Sequence, residues 1–212
     1  MDIKAIIFDM DGTLIDSLDV WAESDRVFLN ELGYEYDSKV SLAMKKMHFV
    51  SACEYLKELY GINKTIEEIG ARIKELVIHS YCNDVPLKEG VFEYISMQHK
   101  KGIKMCVATS NELSLAEGAL KNLGIYELME FVITSDEVGC GKESPLIFER
   151  AAERMGTQPQ NTIVFEDSIH ALESAHSAGF LTAGVLDSRY CDESELLKKA
   201  ADITITSFRE LI

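Results

Sequence analysis

From Pro86 onward, short apolar runs alternate with stretches of helical periodicity, and few architectures accept that rhythm. Residues 103–108, 131–133, 162–165, 181–185 and 203–205 read as strands, the last before a short C-terminal helix. Residues 112–122, 145–155 and 168–178 read as helices, closed by Gly124, Gly156 and Gly179. Strands separated by helices require crossover connections, so the expected class is α/β with a doubly wound parallel, Rossmann-like sheet. One further strand, near 3–8, stands far upstream. Between it and the alternating region lie only helical stripes: Trp21, Phe28, Leu29 and Leu32; then Ala52, Leu56 and Leu59; then Ile66, Ile69, Ile73, Val77 and Tyr81. The expected organisation is therefore a core of 1–15 and 84–212, interrupted by a helical domain over 16–83. Its hinges fall near 15–17 and 84–86.

A formal charge of −15 argues against nucleic-acid partners and would repel an anionic substrate from most of the surface. Any phosphate site must then be made locally positive by a cation, a lysine or helix N-termini. No apolar run approaches the ~20 residues of a membrane span, and no basic-then-apolar leader precedes the first strand, so a cytoplasmic location is expected. Five scattered cysteines without a Cys-x-x-Cys pair suggest neither a zinc site nor a disulfide framework.

The first strand runs into Asp9-Met10-Asp11-Gly12-Thr13. Alternation along a strand puts i and i+2 on one side, so both carboxylates can converge as the strand ends. Carboxylates that close repel unless a metal, a proton or a cation intervenes, which points to a metal-assisted site with one Asp as nucleophile. In open α/β sheets ligands gather beyond the carboxyl ends of the strands. The residues expected there are Asp9 and Asp11 after the first strand, Thr109-Ser110-Asn111 after the second, Lys142 after the third and Glu166-Asp167-Ser168 after the fourth. Taken singly, each has an ordinary reading: a solvated turn, a strand-end hydroxyl, a surface lysine, a helix cap. Their arrival at one sheet edge favours a site.

Asp9-Met10-Asp11-Gly12-Thr13-Leu14, Ala108-Thr109-Ser110-Asn111, Gly141-Lys142-Glu143-Ser144-Pro145 and Phe165-Glu166-Asp167-Ser168 resemble the four ordered motifs of the haloacid dehalogenase-like superfamily. The helical insertion resembles the C1-type cap of its phosphatase and β-phosphoglucomutase-like branch. The resemblance implies that Asp9 is a nucleophile forming an aspartyl-phosphate and Asp11 the general acid and base. It implies that Thr109 donates to a phosphoryl oxygen and Lys142 offsets its charge, with Ser110 and Asn111 as substrate contacts. It also implies Mg²⁺ held by Asp9, the Asp11 main-chain carbonyl and Asp167, with Glu166 as a weaker ligand. Lys46 and His48 fall where a substrate-specificity loop is expected, although solvated helix-end charges read equally well there. The chain departs from the family pattern at Glu143, where proline usually stands, and at Ile169 and Ala171, where proline and glycine follow the fourth motif. Loss of that proline predicts a looser loop.

The function expected is Mg²⁺-dependent hydrolysis of a small phosphorylated metabolite, a sugar phosphate above all, by a monomer or weak homodimer. A phosphosugar mutase would use the same intermediate. A catalytically silent binding protein would be expected to break a motif, and all four chemical positions are filled.

Overall fold

The computed structural model describes residues 3–44, 47, 49–187, 189 and 191–212. The chain divides into two compact units, one of residues 1–17 with 86–212 and one of residues 18–85.

The larger unit is built on a six-stranded, wholly parallel sheet. Its strands are β1 (Ala5–Phe8), β2 (Lys104–Thr109), β3 (Phe131–Thr134), β4 (Thr162–Glu166), β5 (Leu181–Val185) and β6 (Ile203–Ile205), ordered β3-β2-β1-β4-β5-β6. Between them run α5 (Val91–Lys100), α6 (Leu113–Asn122), the single turn α7 (Ser135–Val138), α8 (Leu146–Met155), α9 (Ile169–Ser177) and α10 (Cys191–Ala200). β1 lies at the centre, flanked by β2 and β4, where the direction of strand order reverses. Helices on both faces leave it no solvated side, so all four residues are apolar and buried. On one face Phe8 stacks on Phe165 with ring centroids 5.3 Å apart, and Phe208 packs on Phe165 at 5.2 Å. On the other, Ile7 and Val164 join Phe148, Ala151 and Phe180.

The expected strands all appear. The sequence places no helix at α5 or α10, and it starts the first strand near residue 3, where the sheet begins at Ala5. β1 stops at Phe8, so Asp9 and Asp11 are not brought together by strand alternation. A turn follows instead: the Met10 carbonyl accepts from both Leu14 and Ile15 N–H, and the Gly12 N–H donates to Ile15 O.

The smaller unit is helical: α1 (Val20–Glu31), α2 (Ser38–Met44), α3 (Phe49–Tyr60) and α4 (Ile66–Asn83). A reciprocal capping box fixes the start of α4, with Thr65 Oγ1 accepting from Glu68 N–H and Glu68 Oε2 accepting from Thr65 N–H. α4 packs against α1 and α3, burying Leu56, Ile69, Ile73 and Val77. Two residues assigned to apolar stripes are exposed instead, Trp21 and Leu59. The Trp21 ring meets Phe49 edge-on at 5.6 Å, and Lys74 lies 5.2 Å over the Phe49 ring. Lys46 and His48 lie outside the described residues, as does Lys45.

Candidate active site

The parallel sheet delivers several chemical groups to one end. The Asp9 N–H still donates to Phe165 O at 2.9 Å, which pins Asp9 to the tip of β1 beside β4. Thr109 closes β2 and Glu166 closes β4. Lys142 arrives from the segment between α7 and α8, after β3. Its Nζ donates to Asp9 Oδ1 and, at 2.8 Å, to Glu166 Oε1. The other Glu166 oxygen accepts from the Asp167 and Ser168 N–H groups at 2.7 and 2.9 Å. Glu166 is thus an anchored acceptor that clasps the start of α9 and aims the lysine.

Among the described residues, Asp9, Glu166 and Asp167 bring ligand oxygens within 4.8 Å of one another. Three carboxylates against one ammonium leave a formal charge of −2 in a buried place. The consequences show in the titration of each group. Burial, and then the Glu166 charge, push the Asp9 carboxyl up to about 7 although Lys142 pulls it down. Burial, with Asp9 and Glu166 next, pushes Asp167 up to about 9. Burial works against the Lys142 charge, but Asp9 and Glu166 outweigh it and hold the ammonium above its ordinary value. Asp9 Oδ2 is buried and has no hydrogen-bond partner among the described residues. A bare carboxylate oxygen is costly there, and a divalent cation both supplies the partner and cancels the charge. The donor set therefore fits Mg²⁺.

Asp11 is held differently. Ser17 Oγ–H donates to its Oδ1 and Asn111 Nδ2–H to its Oδ2, each at 2.6 Å. Asn111 also donates its N–H to Thr109 Oγ1 at 3.1 Å, which leaves the buried Thr109 hydroxyl its own proton to give. Asn111 thereby ties the end of β2 to the turn after β1. Ser110 lies away from this knot: it is exposed, and its hydroxyl is 3.2 Å from that of Ser135. Ser17 entered the sequence reading only as a hinge residue. Its contact with Asp11 spans six positions of irregular chain, for which no periodicity exists. At the departing third motif, the Glu143 carboxylate folds back over Gly141, where an added Cβ would lie 2.2 Å from Glu143 Oε2.

The family model of the haloacid dehalogenase-like hydrolases matches residues 6–185. The chain belongs to that family. This hydrolase is 26% identical over 211 residues to a phosphorylated carbohydrates phosphatase of Thermotoga maritima, covering 99% of this chain and 97% of the relative. It is 29% identical over 174 residues to the fructose-1-phosphate phosphatase of Escherichia coli, covering 82% and 92% of the two chains. Among solved structures, it superposes with a TM-score of 0.91 on a candidate beta-phosphoglucomutase from Thermotoga maritima, at 27% identity and covering 99% and 96% of the two chains.

Proposed function

We propose that this hydrolase is a Mg²⁺-dependent phosphatase of small phosphorylated metabolites, with sugar phosphates as its substrate class. The observation that carries the reading is Asp9 itself, tied through Oδ1 to Lys142 and left through Oδ2 without a hydrogen-bond partner among the described residues, beside Glu166 and Asp167. Relatives named for phosphorylated carbohydrates and fructose 1-phosphate support the substrate class.

In this reading an Asp9 carboxylate oxygen attacks phosphorus in line. The bond to the leaving oxygen breaks as Asp11 gives that oxygen a proton, and the phosphoryl group rests on Asp9 as an acyl phosphate. Asp11, now ionised, takes a proton from a water that attacks the same phosphorus, releasing phosphate and restoring both carboxyls. The Thr109 O–H donates to a phosphoryl oxygen while Lys142 balances the charge that oxygen shares with Asp9. Asp9, Asp167 and the Asp11 main-chain carbonyl would hold Mg²⁺, with Glu166, already accepting three protein hydrogen bonds, as a weaker ligand. Bound there, the ion supplies the positive charge that lets two anions, carboxylate and phosphate, approach. Ser110, at the open edge, is the substrate contact of the β2 loop. Asn111 serves the same site by holding Asp11. The helical unit is read as the C1-type cap domain, which selects the substrate.

The test measures free phosphate and sugar-phosphate isomer together, over a panel of phosphosugars with and without Mg²⁺. Phosphate release that requires Mg²⁺ and vanishes in Asp9→Asn, with an unchanged circular dichroism spectrum, is expected. Isomer formed without phosphate would replace the phosphatase with a mutase; turnover retained by Asp9→Asn would remove Asp9 as nucleophile.

A further inference from the structure

A loop with no place in that chemistry grips the turn that carries Asp11. After β5 the chain passes through Asp187 to Arg189, where charged side chains from three segments meet. Lys88 Nζ lies 3.2 Å from Asp187 Oδ2 and donates to the Gly12 carbonyl at 2.6 Å. Arg189 folds onto the same carboxylate, Nε to Oδ1 at 2.9 Å and Nη2 to Oδ2 at 2.7 Å, and its Nη2 also reaches Asp16 Oδ1. Lys88 and Asp187 are only 15% and 11% exposed. An ion pair that shielded holds geometry better than the solvated pairs on the outer helices.

Gly12 sits at φ +76°, a region its lack of a side chain opens, and it is the softest joint of the turn. Two bonds stiffen it. Its N–H donates to Ile15 O at 3.0 Å, and because a trans peptide carries its N–H and C=O on opposite sides, this turns the Asp11 carbonyl away from Ile15. Its own carbonyl is fixed by Lys88. At the far end of the turn Arg189 holds Asp16, and the next residue, Ser17, holds the Asp11 carboxylate. Asp187 joins the two clamps.

We propose that Lys88, Asp187 and Arg189 are positioning residues that lock the 12–17 turn and thereby aim Asp11 at the leaving oxygen. The inference rests on the phosphatase reading, in which Asp11 is the proton donor. None of the three touches substrate in this scheme; each acts through Asp11. Release of the Gly12 carbonyl frees the Gly12–Thr13 peptide and loosens the turn that carries Asp11, and misplacement of a catalytic group by about 1 Å costs on the order of a hundredfold.

The experiment compares two leaving groups. Lys88→Met keeps the apolar stem and removes the donor. For an alkyl phosphate (fructose 1-phosphate, or the sugar phosphate turned over fastest) kcat/KM is expected to fall on the order of ten- to a hundredfold. For p-nitrophenyl phosphate, whose phenolate departs without a proton, the fall is expected to be much smaller. A purely structural role would lower both alike. Asp187→Asn gives the same pattern more weakly, and serves alone should Lys88→Met not fold. The double variant is expected to lose less than the product of the two single losses, since the Lys88 and Asp187 substitutions share the Lys88 clamp. Equal losses on the two substrates, or none, overturn the inference. Asp9→Asn separates the two claims: if it still hydrolyses either substrate the Asp9-nucleophile scheme on which the role of Asp11 rests fails, and if it is inert while Lys88→Met treats both substrates alike only the positioning role fails.

Discussion

Asp25 is a carboxylate with nowhere to put its charge. It lies on α1, 6% exposed, in the interior of the helical unit, and no hydrogen bond or ion pair reaches it among the described residues. Burial alone pushes it from 3.8 up to about 7. A carboxyl raised in the folded state is neutral there while the unfolded chain ionises freely, so the folded state loses ground as pH rises. The penalty is absent below the unfolded value, grows by about 1.4 kcal/mol per pH unit between the two, and is complete at ~4 kcal/mol above neutrality. Asp25→Asn keeps the shape and cannot ionise. A buried amide has its own desolvation cost, but that cost does not vary with pH and cancels when two pH values are compared. The stability of Asp25→Asn relative to the parent is therefore expected to rise by roughly 2–3 kcal/mol between pH 5 and pH 8. The chain has one tryptophan, Trp21, one turn before Asp25 on the same helix, so its fluorescence during urea unfolding reports on this unit. Parallel pH dependence in parent and variant would refute the reasoning.

The metal site carries a proton signature of its own. Without Mg²⁺, Asp9 and Asp167 are raised to about 7 and about 9, so binding a cation must expel protons they hold near neutrality. Titration calorimetry with MgCl₂ in buffers of different ionisation enthalpy should show proton release at pH 7 and affinity rising from pH 6 to pH 8; a buffer-independent heat would contradict it. Gly90 precedes α5 at φ +81°, and an added Cβ would lie 2.5 Å from the Arg209 nitrogen. Gly90→Ala should therefore cost on the order of 1–3 kcal/mol, read as a lowered melting temperature, with the strain confined to the joint between α5 and the C-terminal turn.

The contrast between what the residues announce and what they conceal follows from how each element is buried. β1 and β4 are covered on both faces, so their apolar runs are continuous and their positions readable. α5 is covered on one side only. Val91, Tyr94 and Ile95 are buried, but Phe92 is 49% exposed, and that one misplaced aromatic blurs a stripe already short. Trp21 misleads in the opposite sense, an aromatic at a helical spacing that the fold leaves in solvent. At the site, Asp9, Lys142 and Glu166 were legible as residue types at strand ends, and Lys142 does bridge the two acids. Ser17, Lys88 and Asp187 were not, because their contacts depend on three irregular segments meeting, which neither periodicity nor propensity encodes.

The order in which the polypeptide leaves the ribosome gives the central strand an awkward history. Ala5 of β1 finds its neighbours only at Lys104 and Thr162, so the earliest strand of the sheet waits for β4 before its second edge is covered. Until then an apolar tetrapeptide waits with at least one edge open, while the insertion can assemble from nearby sequence. Truncated translation products ending before β4 should therefore be sticky and inert however well their helices form.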